Sequence, residues 1–166
     1  MYRYKQPRNI SIMNPEDYVS YPLALALKKA GFDEPCDHFY EHRLDPNKAR
    51  ISASGVYGEW KDIDAFKHNF NAIDDNRHEQ LLIPYCSAPT LWQAQKWLRE
   101  KKKIDVLVWN CACGYGWEVS KAENGTGLIL FDDKGDNKDS GCWTSYESAL
   151  SAGIAEALEL IEKKGE

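Results

Sequence analysis

Residues 105–133, DVLVWNCACGYGWEVSKAENGTGLILFDD, decide the fold. Three short runs rich in β-branched and aromatic residues, DVLVWNC, GWEVSK and GLILFDD, are joined by GYG and by ENGT, and Asn-Gly is a strong hairpin signal. The spacing predicts three consecutive antiparallel strands. Leu128 and Leu130 point one way and Ile129 and Phe131 the other, while Val106 and Val108 oppose Leu107 and Trp109 in the same manner. A strand apolar on both faces implies a sheet covered on both sides.

Helices are expected on either side of this block. SAPTLWQAQKWLREKKK (87–103) predicts a helix beginning near Ser87 with Pro89 in its first turn, a buried stripe of Leu91, Ala94 and Leu98, and Trp97 at the flank. TSYE (144–147) forms a capping-box pattern with Thr144 as N-cap and Glu147 at the third helical position. Leu150, Ile154, Ala157, Leu158 and Ile161 then recur on one face until KKG ends the helix. Upstream, SYPLALALKKAGF (20–32) opens on Ser20 with Pro22 in the first turn and closes on Gly31, with Phe32 placed to fold back on Leu27. Further strands are expected near HFYEHR (38–43), RISAS (50–54) and QLLIPY (80–85).

Together these predict an α+β protein, an antiparallel sheet with helices packed on it, whose C-terminal half runs helix, three strands, helix. One domain is expected over residues 1–166, with the N-terminal helix and β-rich segment 18–85 packed on the half formed by 87–164. The C-terminal helices cover one apolar face of the three strands. The Leu23, Leu27, Phe32 side of the first helix is the nearest supply for the other, and a homodimer burying that face is the rival.

The bulk properties restrict function. The chain has 166 residues, 43% hydrophobic and 28% charged, which is the composition of a water-soluble globular protein. Its longest apolar runs, VLVW and GLILF, fall far short of the roughly 20 residues a membrane helix needs. MYRYKQPRNISIMNPEDY shows no apolar core of a secretory signal, so the expectation is a cytoplasmic protein. Five cysteines, an odd number, argue for free thiols rather than a disulfide framework. The net charge of −5 is evenly spread: 11 basic and 13 acidic residues precede Ser87, and 10 and 13 follow from it. A chain that lives on phosphate contacts carries a basic face, so nucleic acid is disfavoured.

Three stretches invite chemistry. EPCDHFYEHR (34–43) places Cys36 and His38 about 6.6 Å apart on one face of a strand, and NCACGYGW (110–117) does the same for Cys111 and Cys113. Two such pairs could just surround a zinc ion, but the C-x₂₋₄-C knuckle typical of structural zinc is missing, and no metal or cofactor is expected. Nucleophilic catalysis needs a thiol or hydroxyl beside a base. Cys and His are available, yet no G-x-S-x-G elbow or phosphate-cradling glycine loop occurs, which leaves a hydrolase with an unrecognised Cys/His site as a secondary expectation and no nameable catalytic residue. Lastly, Trp92, Lys96, Arg99 and Lys103 recur at i, i+4, i+7 and i+11 of the second helix, a stripe suited to phosphates or an acidic partner, though a solvated helix face is the plainer reading. The helix, three strands, helix order is similar to that of the double-stranded-RNA-binding fold, in which the last helix opens on basic residues. Here the matching TSYESALSAG carries Glu147 and no cation.

SYPLALALKKAGFDEPC, SAPTLWQAQKWLREKKKIDVLVW and SYESALSAGIAEALELI, about a third of the chain, resemble a group of small proteins of Bacteroidetes genomes and their phages or integrated elements. That group carries no assigned activity and no catalytic residues to transfer. The resemblance implies a cytoplasmic accessory protein of a phage or mobile element, acting through an unknown protein partner, with residues 41–80 a variable, loop-rich excursion.

Overall fold

A computed structural model of the chain describes residues 14–41, 51–53, 69–72, 84–129 and 143–165. Helix α1 spans Tyr21–Lys29, with Ser20 at the N-cap and Pro22 in its first turn. The Ser20 hydroxyl makes no capping bond, so the proline carries the start alone. At the other end Gly31 takes φ +87°, the Gly31 N–H donates to the Lys28 carbonyl at 3.0 Å and the Phe32 N–H to the Leu27 carbonyl at 2.9 Å. This is the Schellman closure expected from the sequence, and it drives Phe32 into the core.

Strands β1 (His38–Glu41), β2 (Ile51–Ala53) and β3 (Pro84–Ser87) form an antiparallel sheet with β1 in the middle. The place of β3 corrects the sequence reading, which began the second helix near Ser87. Pro89 disfavours a helical Ala88, and a stronger start lies just beyond it. Thr90 and Gln93 close a capping box, with the Gln93 N–H donating to Thr90 Oγ1 at 3.2 Å and the Thr90 N–H to Gln93 Oε1 at 2.9 Å. Helix α2 is therefore Leu91–Trp97. The sheet is clipped from one side by Asn71, whose side-chain oxygen accepts from the Ser87 N–H at 2.9 Å while its amide donates to the Phe32 carbonyl at 2.8 Å. The Phe70 N–H completes the knot on Ser87 Oγ at 3.1 Å.

Beyond α2 the chain makes one π turn, Leu98–Lys102, which ends on Lys103 in the left-handed region at φ +59°. Trp97, expected at the flank, is buried against Phe32 with ring centroids 5.4 Å apart. The second sheet follows: β4 (Ile104–Cys111), β5 (Gly114–Lys121) and β6 (Gly127–Ile129), antiparallel in that order. Its first turn is the pair Ala112–Cys113, since Cys111 pairs with Gly114, so Gly116 of the expected GYG turn lies inside β5 opposite Trp109. On the free side of β4, Gln95 Nε2 donates to the Val106 carbonyl at 2.7 Å, satisfying a backbone group the ladder leaves over.

Helix α3, Tyr146–Gly165, packs across β4 and β5. Its cap lies one residue later than TSYE suggests: the Ser148 N–H donates to Ser145 Oγ at 3.1 Å and the Ser145 N–H to Ser148 Oγ at 3.2 Å. Gly153 faces Val106 and Trp117, and a Cβ there would stand 2.5 Å from Val106 Cγ1. The buried side chains from Val19 to Leu158, drawn from both halves of the chain, form one continuous cluster.

The covering of the second sheet differs from expectation. The main neighbours of α1 are β3 and α3, and Leu107, on the face of β4 away from Val106 and Val108, is 45% exposed. Among the described residues no helix is long and apolar enough to cross a membrane.

Gly153→Ala should lower stability by about 1–2 kcal/mol, because the wedge between α3 and Val106 outweighs alanine's helix preference. A denaturant midpoint at or above that of the parent would show that α3 can lift off without cost. Lys103→Gly should act the opposite way, raising stability by about 0.5–1 kcal/mol as the left-handed strain is removed. The same denaturation series checks both.

Candidate functional site

A hollow of about 890 Å³ lies between α1 and α3. Its apolar walls are Leu23, Ala26 and Ala30 on one side and Ala155, Leu158 and Ile161 on the other. The sequence builds it through side-chain size. Leu27 and Ala24 turn from α1 into the core, and Leu150, Ile154 and Ala157 do so from α3. The positions on the facing flanks include Ala26, Ala30, Ala152 and Ala155, too short to fill the gap between the helices. Trp143 stands in the wall, its backbone paired with Tyr115 and its indole Nε1 buried without a hydrogen-bond partner among the described residues. Lys29 and Glu162 form an ion pair on the rim.

A second hollow of about 770 Å³ lies beside the start of α3 and shares Ser20, Ser148 and Ser151 with the first. The two are adjoining stretches of one furrow. The second stretch is the more polar of the two, edged by hydroxyls and by Glu16 and Glu147, with Val19, Ile51 and Leu91 also in its lining. From Glu147 to Glu162 the furrow follows α3 for about 23 Å at 1.5 Å per residue. Sequence reading missed it, although Ala26 and Ala30, and Ala152 and Ala155, sit beside the core stripes at helical spacing.

The stripe Trp92, Lys96, Arg99, Lys103 is only partly assembled. Trp92 is 52% exposed and stacks on Tyr146 at 5.3 Å between ring centroids. Lys96 lies 4.0 Å from Glu100, and Arg99 lies 3.8 Å from Asp105. The π turn ends the helical phase, so Lys103 stands outside the helix that was to carry it. One exposed aromatic beside cations already facing carboxylates offers little to a phosphate chain.

Cys36 lies just before β1 in the first sheet, whereas Cys113 is in the hairpin turn of the second; the side chain of Cys111 falls outside the described residues. Among the described residues no group of three His, Cys, Asp or Glu side chains gathers. His38 packs against Tyr18 in a tilted arrangement with ring centroids 4.6 Å apart, and burial holds its pKa below the usual range. Burial pushes the Cys36 thiol up to about 12, against a hydrogen bond with Ser87 that lowers it, and pushes Cys86 up to about 12 as well. Both are therefore thiols at neutral pH and poor nucleophiles.

The same burial makes the fold sensitive to alkali. Cys36, Cys86 and Tyr40, whose hydroxyl donates to the Val19 carbonyl at 2.7 Å, all reach about 12 in the folded state, chiefly through burial. Each keeps its proton in the folded chain where the unfolded chain has lost it. Their contribution is complete below about pH 9 and is lost as pH rises toward 12. Denaturant midpoints should be level from pH 7 to 8 and fall steadily above pH 9, and a flat profile to pH 11 would contradict the assignment.

Comparison with protein-family models, with curated proteins and with solved structures finds no match to this chain, so its function is read from its own side chains.

Proposed function

We propose that this chain is a non-enzymatic protein-interaction module, a cytoplasmic accessory protein of phage or mobile-element type, and that its working surface is the furrow along α3. The observation that carries this reading is the apolar furrow itself. Alanines at Ala26, Ala30, Ala152 and Ala155 line the space between two helices without filling it, leaving apolar walls open to a third element. A helix laid in a groove between two helices is a common mode of polypeptide recognition. The accessory role draws on the likeness of the helical motifs to small proteins of Bacteroidetes genomes and their phages. Two buried, unpaired thiols, Cys36 and Cys86, suit a reducing compartment.

Panning a displayed random-peptide library on the native protein, with subtraction on Ala155→Arg, tests the reading. Enriched peptides should carry apolar residues at i, i+3 or i+4, and i+7, and should lose binding to the Ala155→Arg protein by tenfold or more. Sequences that bind both proteins equally would place the working surface elsewhere.

A further inference from the structure

We infer that the occupant of the furrow is a cationic amphipathic polypeptide segment, apolar where it meets the C-terminal half of α3 and basic where it meets the N-terminal half. This inference rests on the furrow being the working surface and adds the chemistry of what fills it.

The evidence is the arrangement of charge along α3. The charged side chains lining the furrow are Glu16, Glu147, Glu159 and Glu162 against Lys29 alone. At the apolar end the acids are already met, Glu162 by Lys29 and Glu159 by Lys163 at 3.5 Å. At the other end, Glu16 and Glu147 take part in none of the ion pairs among the described residues. Glu147 sits in the first turn of α3, where the helix dipole supplies about half a positive charge, so part of its field is offset. Glu16 has no such helix behind it, since it belongs to a single three-residue turn. The result is an apolar trough that ends in a negative mouth. Anionic nucleic acid is repelled there, and an apolar segment bearing Lys or Arg at one end is matched in both properties. The length favours polypeptide over a small molecule, because about 23 Å equals about 15 residues of helix.

Two fluorescein-labelled 18-residue helical peptides with the same Leu/Ala face supply the test, one with Lys on its polar face and one with Glu, titrated by anisotropy against the full chain. The Lys peptide is expected to bind, with the Glu peptide at least tenfold weaker. Glu16→Gln/Glu147→Gln should reduce Lys-peptide affinity at least threefold and flatten its salt dependence, while leaving the melting temperature close to that of the parent. Ala155→Arg should abolish binding of both peptides.

If both peptides bind equally and Ala155→Arg stops both, the furrow stands as the working surface and the cationic occupant is wrong. If neither binds, or binding survives Ala155→Arg, the furrow reading fails with it. Self-association in sedimentation that Ala155→Arg disrupts would identify a second copy of the chain as occupant and would also overturn the inference. The Glu16→Gln/Glu147→Gln protein keeps the test decisive should Ala155→Arg not fold, because its surface changes leave the core untouched.

Discussion

The contact between Gly153 and Val106 is the constraint on which the remaining packing depends. With no side chain at that position, α3 settles onto β4 and β5 closely enough to seal Trp117 beneath it. The other elements are placed relative to that helix: α2 packs against it from one side, α1 from another, and the short turn at Pro15–Asp17 meets it as well. The furrow is the converse of the same geometry. Where α3 meets the sheet through glycine it is drawn in, and where it faces α1 the alanines on both helices leave the space between them unfilled.

Local signals were legible wherever one short-range interaction decides the outcome. The Gly31 closure, the Asn-Gly hairpin and the core stripes of α1, α2 and α3 follow from a few neighbouring residues and appear as expected. The start of α2 was misplaced because two capping patterns compete within four residues, and the one with a reciprocal bond, Thr90 with Gln93, wins over Ser87. Ser87 then goes to a strand, where Asn71, sixteen residues upstream, takes its N–H. Such a partner cannot be read from periodicity. The stripe from Trp92 to Lys103 is interrupted for a similar reason: extrapolating 3.6 residues per turn assumes that the helix persists, and a π turn breaks the phase at Leu98. Alternation in β4 promised two covered faces, but burial depends on which helix lies nearby, and α1 lies against β3 and α3 instead.

The furrow was not legible at all, because a surface defined by what alanines omit leaves no apolar signal of its own. Alanine beside a leucine stripe reads as helix propensity, and only the second helix, more than a hundred residues away, turns those positions into a wall. The thiols show the reverse case. Cysteine and histidine crowded into one stretch suggest chemistry, while burial turns Cys36 into an ordinary small core residue and uses His38 as a ring against Tyr18.

The knot at Asn71 has a bearing on how this chain can change. The strand Ile51–Ala53 is zipped to β1, and Phe70 and Asn71 are fastened to Ser87 and to the end of α1, so two segments distant in sequence are held to the same sheet. Asn71 thus couples the closure of α1 to the first sheet: removing its amide would strand the Phe32 carbonyl and the Ser87 N–H together, so the helix end and the strand would loosen as one unit.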